Sequence, residues 1–82
     1  MNDEVTIVPL LEEGQVIGLT ASKLFVGDAN DLTCHEVNQH VGKLLAKLGE
    51  SLSNQEEYEY DGVQGADFTD GVISITATLF IP

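Results

Sequence analysis

The stretch TCHEVNQHVGKLLAKLGESL, residues 33–52, decides the fold of this 82-residue chain. Thr33 and Glu36 have the spacing of a capping box, in which the hydroxyl and the carboxylate satisfy backbone amides at a helix start. Apolar residues then recur at the helical period, at Val37, Val41, Leu44, Leu45, Leu48 and Leu52. The pattern predicts a helix of about 15 residues that begins after Thr33 and ends between Gly49 and Asn54.

Two short apolar runs before this helix are typical of strands. Val5–Leu11 and Val16–Thr20 are rich in β-branched and aliphatic side chains, and the turn Glu12–Gln15 between them contains a glycine. We therefore expect a hairpin. Pro9 cannot donate a hydrogen bond to a neighbouring strand, so the first strand should lie at a sheet edge or end near this residue. Lys23–Val26 is a candidate for a short third strand.

The segment after the helix contains the clearest strand. From Ile73 to Ile81 apolar residues alternate with serine and threonine, as in a strand with one buried face. Glu56–Asp61 alternates acids with tyrosines, and the loop Gly62–Gly71, which contains the pair Asp70-Gly71, can close a second hairpin. The order hairpin, helix, hairpin predicts a single α+β domain over residues 1–82, with a two-layer antiparallel sheet of four or five strands and one helix packed on a face.

The composition excludes several classes of partner. Fourteen acidic residues against three lysines and no arginine give a net charge of −11, which repels nucleic acid and anionic membranes. Apolar residues make up 43% of the chain, enough for a folded core. Cys34 is the only cysteine and the N-terminus lacks a basic signal region, so a reducing cytoplasm is expected, the host cytoplasm if a phage encodes the chain.

No constellation indicates catalysis, a metal or a cofactor. Cys34 and His35 are neighbours, but adjacent helical side chains diverge by about 100° and cannot pair as nucleophile and base. Cys34 also falls on the apolar stripe, which predicts a buried thiol. Glu36 and His40 face the same way, yet two ligands are too few for a metal. We predict no catalytic residue, no metal ligand and no cofactor.

The acidic segment before the last strands is the candidate partner-binding site. Along a strand its acids would lie on one face about 6.8 Å apart and its tyrosines on the other. One interpretation is a solvated edge strand whose charges prevent aggregation. The other is an anionic ladder that imitates a nucleic-acid backbone and binds a basic protein surface. The predicted partner-binding residues are Glu57, Tyr58, Glu59, Tyr60 and Asp61.

A second feature is a stripe of small residues on the helix at Gly42, Ala46 and Gly49, suited either to packing against the domain's own loops or to contact with a second copy.

The favoured function is a small acidic inhibitor or adaptor that binds protein. Its narrower form is a nucleic-acid mimic of phage or mobile-element origin that blocks a nucleic-acid-binding protein, such as a nuclease or a CRISPR effector, as anti-CRISPR proteins do. The alternative is a structural subunit of a homodimer, a larger homo-oligomer or a virion.

Overall fold

The computed structural model describes residues 4–81 and confirms the α+β architecture. The described strands form one five-stranded antiparallel sheet, and a single α-helix packs on one face. In chain order the elements are β1 (Thr6–Glu12), β2 (Gln15–Leu24), a 3-10 turn (Ala29–Asp31), α1 (Cys34–Ser53), β3 (Glu59–Val63), β4 (Asp67–Thr69) and β5 (Val72–Phe80).

The sheet is organised around β5. Its order is β1-β2-β5-β3. Both β3 and β4 pair with the edge of β5 that is opposite β2: β3 pairs with the C-terminal half of β5 and β4 with the N-terminal half. Both predicted turns close a hairpin through two residues. The second hairpin differs from the prediction, because the segment predicted as the loop Gly62–Gly71 contains the strand β4, which pairs with β5 directly before the turn. Glu13 and Gly14 have φ of 51° and 81°, and Asp70 and Gly71 have φ of 52° and 75°. Positive φ at both positions is the type I′ geometry, whose twist matches that of the flanking strands.

Two elements differ in extent from the sequence prediction. No separate strand forms at Lys23–Val26, because β2 continues without a break to Leu24. The helix ends at Ser53, within the predicted range, but has 20 residues instead of about 15, and the N–H of Asn54 donates to carbonyls of the last turn. Packing of α1 against the sheet stabilises this last turn despite the glycine. Pro9 lies in β1, at the sheet edge, as predicted.

The core lies between α1 and the facing side of β2 and β5. Leu44 and Leu48 on the helix and Ile73 on β5 are the largest fully buried side chains. The other buried apolar residues are Leu19, Ala21, Ile75, Ala77 and Leu79. Alternate residues of β2 and β5 thus form the buried layer, as the period of a strand requires.

The expectation that Cys34 is buried is wrong. This residue is the first of α1 and is exposed. Burial increases along the apolar stripe, from Cys34 through half-buried Val37 and Val41 to fully buried Leu44. The first turn of the helix therefore stands away from the sheet, and helical periodicity alone does not report that separation.

Lys23 is a charged residue in this core, only 4% exposed. It continues the helix-facing row of Leu19 and Ala21, and its Nζ lies 2.9 Å from Nδ1 of His40 on α1. The Phe25 ring packs edge-on against Phe68, with centroids 5.8 Å apart. Every buried side-chain nitrogen and oxygen of the described residues has a hydrogen-bond partner.

The opposite side of the sheet, here called the open face, is not covered by any described helix or strand. The residues of β2 and β5 that point away from α1 are Gly18, Thr20, Ser22, Leu24, Val72, Ser74, Thr76, Thr78 and Phe80. In addition, α1 is not long and apolar enough to cross a membrane, and no other helix in residues 4–81 is either.

Candidate protein-binding surface

The acidic segment connects the C-terminus of α1 to β3. Glu56 and Glu57 lie in this connection, outside any strand, and both are exposed. The backbone N–H of Glu57 donates to Oε1 of Gln55 at 3.3 Å, which forms a local turn. Glu57 therefore does not continue the line of β3.

The two residues that begin β3 point to opposite faces of the sheet, as predicted. Glu59 pairs with Phe80 and lies on the open face, whereas Tyr60 pairs with buried Leu79 and lies on the helix side. Side chains of directly paired residues share a face in an antiparallel sheet. The segment thus separates its charges from its aromatic rings.

The expected row of three evenly spaced carboxylates is not formed. Tyr60 pairs with Leu79 and Gly62 with Thr78, so Asp61 is an extra residue in a β-bulge. Gly62 has a φ of 124°, a conformation that glycine adopts without steric cost. Because Glu57 precedes the strand and the bulge redirects Asp61, only Glu59 keeps the predicted strand position.

The two tyrosines differ in their environment. Tyr58 is half-buried and packs against the core, whereas Tyr60 is 53% exposed. Tyr58 therefore contributes to the fold, and Tyr60 is the aromatic ring available to a partner.

An apolar groove lies beside Tyr60, between the C-terminal half of α1 and β3. It has a volume of about 400 Å³ and is open to solvent. Its lining residues are Leu45, Leu48, Gly49, Leu52, Ser53, Tyr60 and Val63. Three of the apolar side chains stay exposed, since Leu45, Tyr60 and Val63 keep 45%, 53% and 41% of their surface. The groove is large enough to receive a side chain of another molecule.

The groove exists because the sheet is wider than its helix. The main contacts of α1 are with β2 and β5, and β3 lies beyond β5. The helix-facing side chains of β3 are consequently covered by α1 on one side only. Leu45 and Leu52, two turns apart on α1, lie at this margin. Their offset from the Leu44 and Leu48 row is visible in the width of the apolar stripe.

The charges next to the groove are negative. Glu56, Glu57, Glu59 and Asp61 are all exposed in the segment that leads into and forms β3. On the helix, Nζ of Lys47 lies 3.8 Å from Oε1 of Glu50. Exposed pairs at this separation contribute little to stability. An apolar groove therefore adjoins a concentration of solvated carboxylates.

The other candidate residues have structural contacts. The N–H of Thr33 donates to Oε1 of Glu36 at 3.1 Å, and the N–H of Glu36 donates to Oγ1 of Thr33 at 3.1 Å, which confirms the capping box. The Thr33 backbone hydrogen bond, followed by the hydrogen bond with its side chain, lowers the pKa of Glu36. Nδ1 of His40 is engaged by Lys23. Within residues 4–81 no three histidine, cysteine or acidic side chains are grouped to hold a metal ion.

The two glycines of the small-residue stripe do not pack on the domain's own loops, whereas Ala46 lines a shallow pocket with Glu4 and Val5. A Cβ atom built on Gly42 or Gly49 would meet no atom of the described chain within 4 Å, beyond the helix's own backbone. Gly49 lines the apolar groove, whereas Gly42 is exposed away from it. Of the stripe, Gly49 alone belongs to the candidate surface.

Comparison with protein-family models, with curated protein sequences and with solved structures found no match to this chain.

Proposed function

We propose that this chain is a non-catalytic binding protein, an acidic inhibitor or adaptor that docks on a basic protein surface. The observation that supports it most is the apolar groove beside the segment Glu56–Asp61 in a chain with a net charge of −11. Apolar contact supplies affinity, and surrounding charge of one sign selects partners of the other sign.

In the proposed complex an apolar side chain of the partner enters the groove and packs against Leu45, Tyr60 and Val63. Lysine or arginine side chains beside it meet the carboxylates of Glu57 and Asp61, and Glu59, on the other side of β3, adds to the negative field. Because these carboxylates are exposed, they mainly accelerate encounter, and the desolvated groove slows dissociation. A partner contact of standard size takes about 800 Å² per side, about a seventh of the 5539 Å² surface of this chain.

The partner class that this chemistry favours is a nucleic-acid-binding protein, such as a nuclease or a CRISPR effector. Such proteins present cationic channels to phosphates, and an acidic domain of phage or mobile-element origin would compete for them. Duplex DNA carries one charge per about 1.7 Å of axis, denser than β3 alone offers. Inhibition would therefore depend on the groove as well as on the carboxylates.

The proposal is tested by capturing basic proteins from a cell lysate on the immobilised chain and measuring association rates for each captured protein. The variant Glu57→Lys/Glu59→Lys/Asp61→Lys should reduce the association rate at low salt by at least about tenfold, since long-range attraction is reversed. Tyr60→Ala should instead accelerate dissociation, because it removes the aromatic wall of the groove.

The matched control is Glu4→Lys/Glu12→Lys/Asp31→Lys. Each reversal adds two positive charges, so both triple variants change the net charge from −11 to −5. If the association rate falls equally in the two triple variants, the partner is attracted by the total charge of the chain and not by this surface. Binding that survives both the first triple variant and Tyr60→Ala would exclude this surface.

A further inference from the structure

We infer that the open face of the sheet is an interface between two copies of this chain. The surface is distinct from the groove, since β5 side chains that point to the open face point away from α1. The inference does not rest on the proposed function, although Glu59 lies at the edge of both surfaces, and the two kinds of binding respond to salt in opposite directions.

The centre of the open face is uncharged. The open-face residues of β2 and β5 are glycine, serine, threonine, valine, leucine and phenylalanine, although Asp, Glu and Lys make up 17 of the 82 residues in the chain. Oγ1 of Thr20 and Oγ1 of Thr76 lie 3.0 Å apart and share a hydrogen bond across the two strands. Among the described residues, acids border this centre at Glu12 on β1 and at Asp67 and Glu59, which pair with Ser74 and Phe80. Glu4 lines a pocket with Ser22 and Leu24 at the end of the face where β2 finishes.

The chemistry of this face is complementary to itself. In a two-fold dimer the same patch meets itself, so each group must be able to contact its own kind. A hydroxyl group both donates and accepts a hydrogen bond, and apolar groups pack on one another, whereas carboxylates repel. The central hydroxyl and apolar side chains meet this condition, and the acidic segment does not. A second copy is therefore the occupant that this face favours.

The geometry allows two such faces to stack. Sheets pack face to face about 10 Å apart when the facing side chains are uncharged and of moderate size. Val8 and Leu10 on β1 pair with the open-face residues Thr20 and Gly18, and they are 50% and 43% exposed. Phe80, which follows Thr78 on the open face of β5, is 40% exposed, and Leu24, at the opposite end of the face, is 56% exposed. These side chains provide apolar contact at the two sides of the hydroxyl centre.

The area of the open face limits how tightly two copies of the chain can bind. Four strands across at about 4.8 Å, and about nine residues along at about 3.4 Å, give roughly 600 Å² per copy, an upper value that includes the edge positions of Glu12, Glu59 and Asp67. Stable interfaces begin near about 600 Å² per partner, so the dimer is expected to be weak, with a micromolar dissociation constant or weaker. Repulsion between two chains of charge −11 opposes it at low ionic strength.

The test is sedimentation equilibrium of the full chain up to about 1 mM, at low salt and at about 0.5 M salt, where charges are screened beyond a few ångströms. We expect reversible dimers that tighten as salt increases. Binding of a basic partner should weaken over the same range. A chain that stays monomeric at the highest concentration and salt would overturn the inference and leave the proposed function untouched.

Variants locate the interface. Thr76→Glu at the centre and Val8→Glu at the exposed margin should each raise the dimer dissociation constant at least about tenfold, because each places a like charge in the contact. Gln39→Glu adds the same charge at an exposed helix position and should leave the constant within about twofold. If either open-face variant remains folded by circular dichroism and dimerises like Gln39→Glu, the dimer uses another surface and the inference is wrong.

Discussion

Nζ of Lys23 lies 2.9 Å from Nδ1 of His40, in the layer between the sheet and the helix. A lysine ammonium has only donors, so Nδ1 is the atom that accepts from it. The contact joins β2 to α1 and places a charged group where an apolar residue would ordinarily lie. Burial of a charge is tolerated only when hydrogen bonds replace its water.

The His40→Ala variant should therefore lose about 1–3 kcal/mol of unfolding free energy, because a buried ammonium loses one of its acceptors. The packing of the imidazole near the Phe25 ring, with centroids 6.5 Å apart, is lost as well. Urea titration would measure the change. Gln39→Ala, at the adjacent exposed position, is the control and should change stability by less than about 0.5 kcal/mol. Equal effects in the two variants would contradict a specific role for the histidine.

Two leucines of α1 should respond very differently to truncation. Leu48 is 1% exposed in the core, and Leu48→Ala should cost about 2–5 kcal/mol, the usual range for a buried leucine. Leu45 is 45% exposed beside the groove, and Leu45→Ala should cost less than about 1 kcal/mol. Denaturant titrations of both variants provide the comparison. Similar losses of unfolding free energy in the two variants would mean that α1 is rotated about its own axis relative to the packing described above.

Replacing each of two glycines with alanine should change the stability of the fold in opposite directions. A Cβ on Gly18 would lie 2.6 Å from the carbonyl oxygen of Ala77, which is backbone and cannot rotate away. Gly18→Ala should therefore destabilise the chain by about 1–3 kcal/mol. Gly42 is helical with open space around it, and Gly42→Ala should stabilise the chain by about 0.5–1 kcal/mol. Melting temperatures would show the two shifts, and a stabilising Gly18→Ala would refute the close strand contact.

The capping box predicts a specific dependence on pH. The hydrogen bonds of Thr33 lower the pKa of Glu36 in the folded state. The carboxylate therefore stabilises the fold above its unfolded pKa, and this contribution is lost as pH falls through the lower, folded value. The difference in unfolding free energy between the wild type and Glu36→Gln should be largest near neutral pH and shrink in acid. A difference that is constant between pH 7 and pH 2 would show that the carboxylate charge has no role.

Features of the fold that depend on neighbouring residues could be read from the sequence. The helix start at Thr33 follows from a capping box four residues long, and the Asp70-Gly71 turn follows from the φ values that these residue types tolerate. The strand β5 follows from a period of two over nine residues. In each case the interactions that decide the structure lie within a few positions of one another.

The candidate surfaces depended on contacts between residues far apart in sequence. Only the placement of α1 over β2 and β5 decides that Lys23 is buried, that Cys34 is exposed and that Leu45 lines a groove instead of the core. The pairing of β3 with β5 introduces the bulge that breaks the predicted row of acids at Asp61. Sequence periodicity assigns residues to a face of their own element, but whether another element covers that face depends on the packing of the whole chain.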